Sequence, residues 1–144
     1  PYPSTEEEAA IVARFGERQG PPRPAEFGVS AVTDAAALGA AGAALKQVSV
    51  APEVVEYVVR LVRATRESAE LSSGASPRAA VLLANAARAR AALEGRDYVL
   101  PDDVKALAVA ALRHRLVLSP AAEIEGREVE TLVGELVENT EAPR

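Results

Sequence analysis

Two stretches of the sequence leave little choice of fold class. Val104, Leu107, Ala108, Ala111 and Leu112 recur at i, i+3, i+4, i+7 and i+8, and Val129, Leu132, Val133, Leu136 and Val137 repeat the pattern. This is the period of a helix with one apolar face, and each such face needs another element to cover it. Composition says what covers it: 31 of the 144 residues are alanine and only 3% are aromatic. That mix favours close-packed helices over a sheet rich in aromatic and β-branched residues. Leu, Ile, Val and Phe supply 36 residues, more than a disordered chain carries. The expectation is an all-α fold, a small helical bundle of about five to six helices with room for very short extended segments, in a single domain over residues 1–144.

Punctuation places the helices. Ser4 followed by Glu7 forms a capping box for a first helix from about Thr5 to Gln19, with Ile11, Val12 and Phe15 as its inward stripe. The Pro/Gly-rich stretch from Gly20 to Gly28 reads as a loop. Thr33-Asp34 caps a second helix to about Val48, whose alanine and glycine face would admit a neighbouring backbone. Val48-Ser49-Val50 reads as a short extended segment. Pro52 fits the first position of a third helix to about Thr65, with Val54, Val55, Val58, Val59 and Val62 facing the core. Ser72-Ser73-Gly74-Ala75 reads as a turn. Ser76-Pro77 pairs an N-cap with a first helical position for a fourth helix through Leu93, ended by Gly95. Pro101 opens the fifth helix, and the sixth follows Ser119-Pro120.

Several chemistries are excluded. With no cysteine and one histidine, His114, the chain has no disulfide framework, no thiolate nucleophile and no metal cage of the cysteine-bearing kinds. The longest apolar stretch, Ala35 to Leu45, is interrupted by glycine and falls short of the roughly 20 residues of a membrane span, so the default expectation is a soluble cytoplasmic protein. Net charge is −5, and broad nucleic-acid binding needs a basic face instead. Charge is uneven, however: residues 60–97 carry seven arginines against four acids. No methionine is present and the chain starts Pro1-Tyr2-Pro3, which reads as an interior or C-terminal piece of a longer protein.

A phosphate loop of the P-loop kind needs a lysine directly after glycine, but Lys46 follows Leu45 and Lys105 follows Val104. Gly74-Ala75-Ser76-Pro77-Arg78 lacks the last glycine of a nucleophile elbow. Asp102-Asp103 reads as helix-start electrostatics, with a metal site as the alternative. Arg78 stands out, because a cation near a helix start is disfavoured by roughly 0.3–1 kcal/mol. Either an anion is brought there, to be gripped by backbone amides and guanidinium together, or the side chain is solvated or locally ion-paired.

Four stretches together carry a resemblance: Gly74-Ala75-Ser76-Pro77-Arg78-Ala79, the run from Ala87 to Val99 (ARARAALEGRDYV), Pro101-Asp102-Asp103-Val104-Lys105-Ala106-Leu107, and Leu112-Arg113-His114-Arg115-Leu116. They closely resemble the C-terminal lid domain of the MoxR family of AAA+ ATPases. Tyr2-Pro3-Ser4 with Glu6-Glu7-Glu8 and Val62-Arg63-Ala64-Thr65-Arg66 also fit, so the likeness spans nearly the whole chain. Two departures stand out: Leu100 replaces a common threonine cap before Pro101, and Ala35 to Ala44 replaces a more leucine-rich helix.

The resemblance implies a lid that does not hydrolyse ATP alone and that serves an α/β core lying before Pro1. ATP and Mg²⁺ would bind in the full-length protein, which would act as a ring, usually a hexamer, in chaperone-like maturation of protein complexes. Its partners would be its own core, neighbouring subunits and von Willebrand factor A domain proteins. Arg78 matches the family's sensor 2 arginine, directed at the ATP γ-phosphate and supported by Ser76 and Pro77. Two other classes compete with this reading. One is a helical DNA-binding or transcription-regulator module using Arg60, Arg63, Arg66, Arg88 and Arg90. The other is an adaptor bundle with no nucleotide connection.

Overall fold

Caps and prolines set the helix starts in the computed structural model, which describes residues 2–17, 20–21 and 23–143. Helix α1 (Thr5–Phe15) opens on the predicted capping box: the Ser4 hydroxyl accepts from the Glu7 N–H and the Glu7 carboxylate accepts from the Ser4 N–H at 2.7 Å. The helix stops at Phe15, short of the predicted Gln19, and Gly16 and Glu17 form a turn. Residues 18 and 19 lie outside the described residues. Helix α2 (Ala35–Ala44) is capped by Asp34, whose carboxylate accepts from the Ala37 N–H at 2.8 Å, and runs into a 3₁₀ turn at Leu45–Gln47.

The described residues divide into two compact units, Pro1–Leu38 and Gly39–Arg144, parting inside α2. In the first unit the expected inward stripe is not buried: Ile11 and Val12 are exposed and Phe15 only half-buried. So short a segment has too little apolar surface to enclose a core. The predicted loop holds a 3₁₀ turn at Pro24–Phe27, and the Arg14 guanidinium lies 5.3 and 5.7 Å from the Phe15 and Phe27 ring centroids. All of α2 is exposed, and a Cβ on Gly39 or Gly42 would meet nothing within 4 Å. No neighbouring backbone thus lies against Gly39 or Gly42 among the described residues, and alanine and glycine offer little apolar side-chain surface to bury.

The second unit carries the core. Helices α3 (Pro52–Glu67), α4 (Pro77–Leu93), α5 (Pro101–Leu112) and α7 (Val129–Asn139) pack Tyr57, Leu61, Leu83, Val104, Leu112 and Val133 out of solvent. The valine stripe expected of α3 is corrected. Val54, Val58 and Val62 are buried, but Val55 and Val59 are 45% and 44% exposed, and Tyr57, Leu61 and Thr65 complete the inner face. A 3.6-residue period cannot point both members of adjacent pairs such as 54–55 and 58–59 fully inward.

Short extended pieces stitch the bundle. Ser72 and Ser73, expected in a turn, lie in strand β1 (Leu71–Ser73), antiparallel to β2 (Val117–Leu118) with Leu71 opposite Leu118 and Ser73 opposite Val117. The Ser72 hydroxyl donates to the Leu118 carbonyl at 2.9 Å. The extended segment predicted at 48–50 makes a parallel bridge, with Ser49 paired to Tyr98. Helix α4 ends as predicted: Gly95 has φ 74°, and the Gly95 and Arg96 N–H groups donate to the Ala92 and Ala91 carbonyls. A five-residue helix α6 (Pro120–Ile124) precedes α7.

One ionic cluster ties the end of α4 to the start of α5. Asp103, 2% exposed, accepts from Arg96 at 2.7 and 2.8 Å and from the Leu100 N–H at 2.9 Å, with Arg90 at 3.4 Å. The bond from the Leu100 N–H is the half of a capping box that needs no N-cap hydroxyl, and the Asp103 N–H donates to the Leu100 carbonyl at 3.0 Å. Hydrogen bonding from Arg96 is the main cause that holds the Asp103 carboxyl below its ordinary pKa, against the opposing effect of burial. A depressed pKa stabilises the fold above the unfolded-state value and is lost as pH falls through the folded-state value. Asp103→Ala is therefore expected to cost about 3 kcal/mol at neutral pH. By thermal or urea unfolding, the gap between the parent chain and Asp103→Asn should narrow below about pH 4; a gap that persists unchanged under acid would contradict the assignment.

Candidate functional site

The site is assembled where α4 begins. Strand β1 delivers the chain to Gly74, whose backbone lies against the last turn of α3: a Cβ there would sit 2.6 Å from the Thr65 carbonyl oxygen and 2.7 Å from the Arg66 Cα. The next residue, Ala75, is buried, and its N–H donates to the buried Thr65 hydroxyl at 2.9 Å. Ala79, one turn into α4, is also buried, so the helix start is seated by small side chains. Ser76, at the N-cap, and Pro77, at the first helical position, stand where predicted.

Two features of this helix start bear on anion binding. Ser4 and Ser119 use their hydroxyls to cap their helices, but Ser76 makes no capping hydrogen bond. The first-turn amides of the 17-residue α4 therefore lack a side-chain acceptor, and the first turn contains no acid. Arg78 is exposed and has no hydrogen-bond or ion-pair partner among the described residues. Of the alternatives for Arg78, a local ion pair is not what the structure contains. Pro77 has no N–H and the Ala79 N–H donates to the Ser76 carbonyl at 2.9 Å, so the anion-binding element here is the planar, always-charged guanidinium at the positive end of the helix dipole.

The other sequence candidates lie apart from it or are engaged elsewhere. Arg60 pairs with Glu56 and donates to the Glu141 carbonyl, Arg63 pairs with Glu67, Arg90 with Asp103, and Arg88 donates to Asn85. Partners within the chain thus engage four of the five arginines that the DNA-binding reading needs; Arg66 is exposed and has no hydrogen-bond or ion-pair partner among the described residues. Asp103 is taken by arginines and Asp102 is exposed; among the described residues no three His, Cys, Asp or Glu cluster as metal ligands. His114 is exposed in a 3₁₀ turn (Arg113–Arg115). A concavity of about 640 Å³ between α3 and residues 139–143 includes Arg60, Arg63 and Glu141 but no residue of the α4 start. No described helix is long and apolar enough to cross a membrane. Sequence reading missed Thr65 as a contributor, since nothing in its spacing says that its hydroxyl meets a loop ten residues on.

Comparisons with known proteins come to the same segment. The family model described as "AAA lid domain" matches residues 63–136. Chaperone MoxR1 of Mycobacterium tuberculosis is 35% identical over 99% of this chain and 38% of its own length. Uncharacterized protein YeaC of Bacillus subtilis is 41% identical over 62% of this chain and 28% of its own length. A crystal structure of a Cytophaga hutchinsonii protein assigned as an ATPase superposes with a TM-score of 0.75 at 25% identity, covering 100% of this chain and 45% of that one. The chain thus spans less than half of the length of each of these relatives.

The exposed, unpaired cation predicts a stability signature. Arg78→Ala should leave the thermal stability of the chain within about 0.5 kcal/mol of the parent or slightly raise it, since an unfavourable dipole interaction is removed. A loss above about 2 kcal/mol in calorimetry would mean that Arg78 holds the fold together.

Proposed function

Since the chain belongs to the AAA lid domain family, within its MoxR branch, we propose that it is the nucleotide-sensing lid of an ATPase whose catalytic core lies outside these residues. Arg78 is its sensor 2 arginine, reaching from the start of α4 to the γ-phosphate of ATP held by the core. The observation that carries this reading is the pairing of an unpartnered guanidinium with a helix start that has no side-chain cap. Such a group is electrostatically misplaced in the lid alone and becomes favourable once a phosphate arrives. Ser76 and Pro77 support it by setting the direction of the helix.

The lid contributes no phosphate loop, so it holds and orients rather than catalyses. As charge builds on the transferring phosphoryl group, a preorganised guanidinium stabilises it without reorganisation at the moment of reaction. Lid position then follows nucleotide state, because the anion favours the arrangement that brings Arg78 to it. On this reading Mg²⁺ is held by core carboxylates with ATP. The working form is a ring, usually a hexamer, in which the lid meets its own core and neighbouring subunits. Its task is chaperone-like maturation or assembly of protein complexes, with von Willebrand factor A domain proteins among its partners.

In the full-length protein, Arg78→Ala should lower ATP turnover on the order of 10²-fold. Arg78→Lys should recover only part of the loss, since an ammonium lacks the bidentate fork. The isolated chain should show no phosphate release from ATP. Turnover by this chain alone, or a full-length Arg78→Ala enzyme working at the parent rate, would overturn the reading.

A further inference from the structure

The Arg78 side chain has no hydrogen bond or ion pair among the described residues, so its placement rests on the backbone leading into α4. Between strand β1 and α4, one side-chain hydrogen bond ties that backbone to α3. The Thr65 hydroxyl, on the last turn of α3 and 0% exposed, donates to the Val62 carbonyl at 2.7 Å and accepts from the Ala75 N–H at 2.9 Å. Its single proton is thus committed to its own helix, while a lone pair holds the incoming loop. Gly74 permits the contact: a Cβ there would strike the Thr65 carbonyl oxygen at 2.6 Å and the Arg66 Cα at 2.7 Å, backbone atoms that cannot swing aside.

Between the anchor and Arg78 the chain has little freedom. Ser76 precedes a proline, which restricts it to the extended region it occupies (φ −77°, ψ 164°). Pro77 has its φ set by its ring, and Arg78 is already helical. A displacement at Ala75 is therefore passed to the Arg78 Cα rather than absorbed.

We infer that Thr65 is the positioning residue for Arg78: its hydroxyl, with the close approach that Gly74 allows, latches the loop entering α4 to the end of α3 and so sets where the guanidinium meets the phosphate. This rests on the sensor reading of Arg78 given above. Thr65 itself touches no nucleotide.

The test uses the full-length ATPase, with turnover measured below the unfolding temperature of each variant. Thr65→Val keeps the branched shape but removes the hydroxyl, and should lower kcat about ten- to a hundredfold, the scale of small misplacements at a reacting centre. Thr65→Ser retains the hydroxyl and should restore most of the rate. Gly74→Ala, which pushes the loop away while leaving Thr65 intact, should reproduce the loss. In an Arg78→Ala background, Thr65→Val should cause no further fall, because the group it positions is gone. An undiminished effect of Thr65→Val in that background would reduce Thr65 to a structural role, and a full rate for Thr65→Val beside an impaired Arg78→Ala would sink the positioning alone. If Arg78→Ala itself ran at full rate, the sensor reading would fail and this proposal with it.

Discussion

The second unit depends on the way α4 is buried. Ala79, Leu83, Ala87 and Ala91 stand four residues apart along it, and none is more than 1% exposed. A ridge made almost wholly of methyl groups lets neighbouring helices approach closely, and the i+4 row is the one that interdigitates in common helix packing. Larger residues fill the space from the other side: Tyr57 and Leu61 from α3, Val104 and Leu112 from α5. Alanine is also the best helix former, so the same residues favour the element and its packing.

Charge then fixes the ends. Asp103 draws Arg96 and Arg90 together where α4 gives way to α5, and Arg127 bridges Glu70, just before β1, to Glu135 on α7. The bonds from Arg127 keep the Glu135 carboxyl below its ordinary pKa. Arg78 differs from these paired arginines. It carries the same charge, sits where the helix dipole opposes it, and has no partner among the described residues.

Local signals are legible in the sequence. Gly95 closes α4 in the left-handed region and Pro52, Pro77 and Pro101 each open a helix, because these effects act within one turn of chain; the short helix opened by Pro120 is separate from the helix expected after it. Facing was read less well where apolar residues crowd, as with Val55 and Val59. It failed for Ile11 and Val12, since an apolar stripe says what would be buried but not whether this chain supplies the cover. The paired strands at 71–73 and 117–118 were hidden, because their hydrogen bonds join segments far apart in sequence.

The candidate site divides along the same line. Sequence alone determined that the chain is helical, where α4 starts, and that Arg78 is a cation out of place at its second position, all consequences of short-range backbone electrostatics and sterics. Only the tertiary structure decided that Arg78 stays unpaired, that Asp103 is an arginine-bound anchor rather than a metal ligand, and that Thr65 holds the loop entering α4. Those facts depend on which groups meet across helices, and a buried hydrogen bond or ion pair leaves no periodic trace along the chain.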